Sequence, residues 1–279
     1  LSIAEADFSH IKDAYLFEIL VVENDLEVKS RHIIDEFKLK FDILIRYVLE
    51  KEQGLCYARN RIISETVNSD FNFFVDDDQR VKKDLFLQLV KCQEEFNSDA
   101  VYGQNPPIYD NECASNLIKE FFEVKTHPYG IILKTAPTNC LYIRTDLLKK
   151  NPFDMRFNFI GSEDRMLTHT LTKLGYTIRS NPNAIAYEII PNERLTKDYI
   201  LKRSFRNTNS YIFFLKYNSM YKEMSIELIK APLRIVYYCF QILLFYKSDY
   251  KKIYALMKVY RGFGVLYAGL SRKYNFYRK

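Results

Sequence analysis

The sequence is short of the features that mark several protein classes. Its five cysteines (Cys56, Cys92, Cys113, Cys140 and Cys239) are odd in number and form no C-x-x-C pair. That argues against a disulfide framework or a zinc site and fits a reducing compartment. Tryptophan is absent, and nothing follows from that. No secretory leader, internal repeat or low-complexity segment is visible. No apolar run reaches the roughly 18 uncharged residues of a membrane-spanning helix. Residues 226–246 come nearest, but Arg234 and Gln241 interrupt them.

What is present is ordinary globular composition, 48% hydrophobic and 27% charged, in 279 residues. The 22 Tyr and 21 Phe argue against disorder. This length suits one large α/β domain plus an appendage. The net charge of +6 is unevenly placed: residues 200–279 carry 16 Lys and Arg against 3 Asp and Glu. A basic tail on an acidic body points to an anionic partner, and the tail's apolar content favours lipid over nucleic acid.

Apolar runs at residues 17–23, 43–48, 71–75, 140–144 and 185–190 read as short buried strands. Helical patterns cover 30–40, 58–67, 84–96 and 163–174, with Gly175 as a stop. Residues 100–128 look irregular and rich in turn residues. The alternation predicts a mostly parallel sheet with helices on both faces. Ligands of such sheets sit at the carboxyl ends of the strands, where Glu23-Asn24-Asp25 and Asp76-Asp77-Asp78 fall. From about residue 201 the pattern is helical and basic. Glu223, Glu227, Lys230, Arg234 and Gln241 lie within roughly 60° of one another at 100° per residue. A narrow polar stripe on an apolar, Lys/Arg-flanked helix suits a membrane interface, with Tyr237, Tyr238 and Tyr246 as interfacial aromatics. Packing on the body or on a second subunit is the alternative. Pro232 is a candidate kink.

Four constellations carry chemistry. Three carboxylates at Asp76, Asp77 and Asp78 repel one another unless a cation or donor neutralises them, and carboxylates suit Mg²⁺ or Mn²⁺. A solvated acidic turn is the equal reading. An aspartyl-phosphate phosphatase would carry Thr or Val where Arg80 stands. Glu163-Asp164 follows Gly161 and opens a helix, either as an N-terminal cap favoured by the helix dipole or as a general base. Arg203 and Arg206 share one helix face and with Lys202 suit a diphosphate clamp or a solvated basic helix. Arg59, at a helix start, suits a nucleotide phosphate or base edge, or a surface salt bridge.

The order of these signals resembles glycosyltransferase family 2, and within it the bacterial succinoglycan glucosyltransferase branch. The stretches EILVVEND, GLCYARNRII, FNFFVDDD, TNCLYIRTDLL, FIGSEDRMLTHTLTKLGYTI and AYEIIPNERLTKDYILKRSFRN carry the resemblance, over roughly residues 17–210. It implies a GT-A fold, Rossmann-like, in a domain over 1–210; residues 211–279, by their own pattern, are expected to form a basic, membrane-associating helical tail. It implies an inverting hexosyl transfer from a nucleotide sugar, usually UDP-linked, to a glycan or lipid-linked acceptor in surface polysaccharide synthesis. Glu23 is then expected at the nucleoside, Arg59 near the nucleotide, Asp76 at the ribose or base, and Asp78 on the metal. Asp164 is the expected base, with Arg203 and Arg206 over the diphosphate. Glu188 stands where many members have a metal-ligating His.

The family begins with an apolar strand and a helix. Here the first residue is Leu rather than Met, and Leu1-Ser2-Ile3 reads as the end of that helix. Roughly 20–25 residues are therefore expected to be missing, the size of a strand–helix unit. The expected location is the cytoplasmic face of the cell membrane, with no nucleic-acid partner. A non-catalytic, truncated subunit or scaffold at the membrane is the rival reading. A nucleotidyltransferase would need an early Gly-rich phosphate loop, which the visible chain lacks.

Overall fold

The computed structural model describes residues 2–66, 68–109 and 116–275; Cys113 and Leu1 lie outside them. The described residues form two compact units. The first lies within Leu1–Ile108, Val124–Asn158 and Glu163–Ile189, the second within Tyr109–Glu123, Phe159–Ser162 and Ile190–Lys279.

The first half of the chain runs β1 (Glu18–Asn24), α1 (Arg31–Lys38), β2 (Leu44–Glu50), α2 (Leu55–Glu65), β3 (Phe71–Phe74), β4 (Gln79–Val81), α3 (Leu85–Phe96) and β5 (Ala100–Gln104). Next come β6 (Pro107–Tyr109), α4 (Asn116–Phe122), β7 (Leu141–Arg144), α5 (Thr145–Lys150), α6 (Glu163–Lys173) and β8 (Ile178–Ile190). Three long helices follow: α7 (Lys197–Tyr217), α8 (Tyr221–Leu244) and α9 (Asp249–Gly269).

The sheet is mixed, which corrects the expectation of a mostly parallel one. β7 runs antiparallel to both β3 and β5, and β4 antiparallel to β8. β1 with β2 and β5 with β8 are parallel. Parallel neighbours need a crossover of a dozen or more residues. β3 and β4 are separated only by Val75 and the three aspartates, so a helix-by-helix reading overcounted parallel pairs. β1 and β2 form a two-stranded sheet, and the other strands a six-stranded one ordered β3-β7-β5-β8-β4, with β6 on β8. Phe17, just before β1, and Phe73 on β3 both pack on Phe86 of α3, at 6.1 and 5.3 Å between ring centres. The core lies between α3 and the sheet, with Leu85, Leu89, Leu141 and Ile143 fully buried.

Three strands, β4, β5 and β6, escaped the sequence reading, and β8 was read only in part. Every residue of β5 (AVYGQ) is buried, inside the stretch expected to be irregular. β8 is 13 residues long, although its second half alone was expected. Its Asn181-Pro182-Asn183 imitates a loop, and Asn183 N–H indeed donates to Asn181 Oδ1 at 3.0 Å. That local turn falls where the β5–β8 register shifts, so Pro182 interrupts no regular ladder. Gly103 permits the close approach there, since a Cβ would lie 2.4 Å from the Ala184 carbonyl oxygen.

In the second unit, Thr196 caps α7 by accepting from Tyr199 N–H. Thr208 on α7 donates to the Arg261 carbonyl at 2.9 Å, tying α7 to α9. α8 continues unbroken through Pro232. Among the described residues no helix is long and apolar enough to cross a membrane.

Candidate active site

The site is built outward from the loop before α2. Gly54 has φ +125°, and a Cβ there would lie 2.2 Å from Asn158 Oδ1, so only glycine fits. Asn24, the last residue of β1, accepts from Gly54 N–H at 2.7 Å and donates to the Glu50 and Glu52 carbonyls. Asn158 accepts from Cys56 N–H at 3.0 Å and donates to the Gln53 carbonyl at 2.9 Å. Two asparagine amides thus fix where α2 begins, four residues ahead of Arg59.

Asn60 then exchanges hydrogen bonds with the backbone of Phe153, accepting at 2.8 Å and donating at 3.0 Å. The Phe153 ring lies 5.4 Å from the Arg59 guanidinium. This explains the A-R-N spacing structurally: Asn60 anchors the ring on which its neighbour rests. The Arg59 side chain is only 12% exposed and pairs with Glu163 Oε1 at 2.5 Å and Asp76 Oδ1 at 3.8 Å. Burial opposes its charge, but Glu163, Asp76 and Asp164 outweigh that and raise its pKa.

Arg59 therefore joins the end of β3 to the start of α6, as the buried ion-pair partner of both. Glu163, the partner closer to it, is 5% exposed. The sequence reading took Glu163 with Asp164 as a cap or base pair and assigned it no separate task. Its signal was in plain sight: an acid that folding buries needs a cation, and Arg59 is the one supplied.

Asp164 follows on the first turn of α6, where the helix dipole favours an anion. Burial, and then the Glu163 carboxylate, raise its pKa to about 6, against Arg59 and the Arg165 N–H that donates to it at 2.6 Å. A carboxyl poised there is a good proton acceptor near neutral pH. Asp76 is raised too, chiefly by the atoms packed around it, although 48% of its side-chain surface stays exposed. Arg59 opposes the shift, while Asp78, Asp77 and Glu163 add to it.

The three aspartates form the turn into β4. Asp76 N–H donates to Gln79 Oε1 at 2.8 Å, and the Asp78 carbonyl accepts from Ile189 N–H at 2.8 Å. Gln79 is paired across the ladder with Glu188, so Asp78 and Glu188 sit on adjacent backbone segments. Hard carboxylate oxygens suit Mg²⁺ or Mn²⁺, which commonly take one or two carboxylates and complete their shell with phosphate and water. Asp78 and Glu188 fit that donor chemistry. Among the described residues no group of three or more His, Cys, Asp and Glu is placed to hold a metal unaided.

Tyr102 on β5 has its pKa raised, chiefly by burial, and its hydroxyl donates to Asn105 Oδ1 at 3.2 Å. The Gln79 and Gln104 amide nitrogens and the Thr138 hydroxyl are buried with no hydrogen-bond partner among the described residues. Only Thr138 had a sequence signal, as part of the T-N-x-x-x-x-R segment.

Glu23 stands at the end of β1, as expected, but its carboxylate is engaged by the chain itself. It accepts from the Tyr47 hydroxyl and from Lys29 and Ser30 N–H at 3.1–3.2 Å. Burial alone would raise its pKa; these donors lower it. Arg203 and Arg206 belong to the second unit. There the Arg203 guanidinium lies 5.4 Å from the Phe122 ring and 5.9 Å from those of Phe121 and Tyr199. Arg206 donates to Asn207 Oδ1 at 2.8 Å.

Comparison with known proteins adds the following. The family model described as Glycosyl transferase family 2 matches residues 2–155. The chain is 26% identical over 199 residues to the succinoglycan biosynthesis protein ExoM of Rhizobium meliloti (strain 1021), covering 69% of this chain. It spans 63% of that protein's length. The mannosyltransferase PcManGT from Pyrobaculum calidifontis, solved with GDP-Man and Mn²⁺, aligns at TM-score 0.65 and 14% identity over 96% of this chain and 81% of that one. S. aureus TarS 1-349 with UDP aligns at 0.50 and 16% identity over 98% of this chain and 87% of that one. At such identities the structures establish likeness of fold, an α/β arrangement similar to GT-A glycosyltransferases.

Proposed function

The chain belongs to glycosyltransferase family 2, and from that premise we propose that it transfers a hexose, with inversion, from a nucleotide sugar to a hydroxyl of a glycan or lipid-linked acceptor in polysaccharide synthesis. The donor in this reading is UDP-linked; the structural relatives solved with UDP and with GDP-Man bind donors of this class. The curated relative's role in succinoglycan biosynthesis supports a polysaccharide product.

One observation carries the proposal: Arg59 holds the Asp76 turn and the Glu163-Asp164 turn together as its two ion-pair partners. Asp164 accepts the proton of the acceptor hydroxyl, which attacks the anomeric carbon from the face opposite the leaving group. Its pKa of about 6 leaves it mostly ionised at pH 7 while still basic enough to serve. Glu163 keeps Arg59 in place and, by its charge, keeps Asp164 basic. Asp76 contacts the nucleoside side of the donor, and Glu23 orders the loop ahead of α1 beside it. Gln79, Gln104 and Thr138 offer buried polar atoms suited to sugar hydroxyls. Asp78 and Glu188 would hold Mg²⁺ or Mn²⁺, which neutralises a departing diphosphate. Arg203 and Arg206 on α7 suit a diphosphate by their chemistry.

The functional test is a donor screen. The chain is incubated with Mn²⁺ and UDP- or GDP-linked hexoses, and nucleotide release is followed. Release from one donor class, dependent on metal, is expected. Absence of both release and nucleotide-induced thermal shift would favour the scaffold reading.

A further inference from the structure

The second unit carries an apolar face left exposed among the described residues. On α8, Ile229, Leu233, Val236, Phe240 and Leu243 are 57–72% exposed. With Ile226, Tyr237 and Leu244 they span about 120° of the helix at 100° per residue. The run from Ile229 to Leu243 is about 21 Å long at 1.5 Å per residue. The opposite face packs on α9: a Cβ on Gly262 would meet Ile235, and one on Gly269 would meet Leu228. The outward stripe is therefore a surface that folding leaves over, on a scale that marks an interaction site.

We propose that this face docks the protein on an anionic lipid surface, lying in the plane of the interface. Three observations favour lipid over a second copy of the chain. No acid lies on the exposed arc. Glu227 is turned to the flank and paired with Arg234 at 3.2 Å. Exposed Lys222 precedes the stripe, and exposed Lys247 and Lys251 follow it, where they reach headgroups while the apolar residues enter the acyl boundary. Lys251 Nζ lies 4.3 Å from the Phe245 ring and Lys247 Nζ 5.6 Å from Tyr246, so cations and interfacial aromatics cluster at one end. A self-associating helix would instead show a seam narrower than this arc, whose flanks are Lys230, Gln241 and Arg234 on one side and Pro232 and Cys239 on the other. The complementary charge is a property of the whole region, with 16 Lys and Arg against 3 acids in residues 200–279.

The proposal does not depend on sugar transfer, and its test reads lipid binding alone. The full chain is floated with phosphatidylcholine vesicles with and without phosphatidylglycerol. Binding at least tenfold tighter to the anionic vesicles is expected. Leu233→Glu with Phe240→Glu should abolish it, with the melting curve unchanged because both side chains are exposed. Lys222→Gln with Lys247→Gln and Lys251→Gln should weaken it at least about fivefold, the loss expected of one juxtamembrane cation or more. Because the chain has no tryptophan, Phe240→Trp supplies a lone reporter whose emission should shift blue on anionic vesicles. Equal binding by the double glutamate variant, or no emission shift, overturns the proposal. So does light scattering that shows a dimer broken by the same variant, with no vesicle binding; that result would assign the face to a second copy.

Discussion

Arg59 and Arg234 each meet a glutamate, and the contrast between them separates the two regions of this protein. Arg59 is 12% exposed, and its partner Glu163 7% by side chain. Arg234 and Glu227 are 24% and 28% exposed. The first pair is deep enough that neither member is tolerable alone, so with Asp76 it ties two acidic turns together. The second borders the exposed apolar stripe of α8 and keeps charge off it. Burial, more than residue type, distinguishes a group that organises chemistry from one that shapes a surface.

The largest effect that sharpens this contrast is catalytic. Asp164→Asn should lower transfer about 10²–10⁴-fold, the usual contribution of a positioned base, measured as labelled sugar incorporated per enzyme. Unchanged turnover would remove Asp164 from the chemistry. Next, Arg59→Met should destabilise the fold by about 3–5 kcal/mol, because it strands a buried carboxylate. Arg234→Met should cost less than about 1 kcal/mol. Equal urea midpoints for the two variants would break the comparison.

A smaller effect is the pH dependence. Transfer should rise about tenfold between pH 5 and 7, as a base of pKa about 6 ionises; a flat profile would contradict it. For stability the sign is opposite. A carboxyl whose folded pKa lies above its unfolded value contributes fully at low pH, and the contribution is lost as pH rises through about 6. The melting point of Asp164→Asn should therefore gain on the wild type across that range. The smallest effect is at the surface: Leu233→Ser should leave transfer to a soluble acceptor unchanged.

Much of this was legible from local pattern. The apolar runs gave β1, β2, β3 and β7. The acids at the ends of β1 and β3 pointed to the candidate site, because a strand end followed by consecutive aspartates needs a counter-charge. Tertiary facts were not legible. β5 hid in a polar, Gly-containing stretch, and the Asn-Pro-Asn of β8 looked like a loop until the bulge placed it. Arg59 read equally as a nucleotide contact or a surface salt bridge, since nothing local shows that Glu163, 104 positions on, closes on its guanidinium. Asn24 and Asn158 clamp a loop through backbone groups, and an asparagine's partners cannot be read from its neighbours in sequence.

The central claim is that the turn acids and the helix acid share a pocket but have separate tasks. Calorimetry of UDP with Mn²⁺ on wild type, Asp164→Asn and Asp78→Asn tests it most directly. The account predicts that Asp164→Asn binds as the wild type does and that Asp78→Asn loses the metal-dependent part of binding. Tight, metal-dependent binding by Asp78→Asn, or its loss in Asp164→Asn, would contradict it.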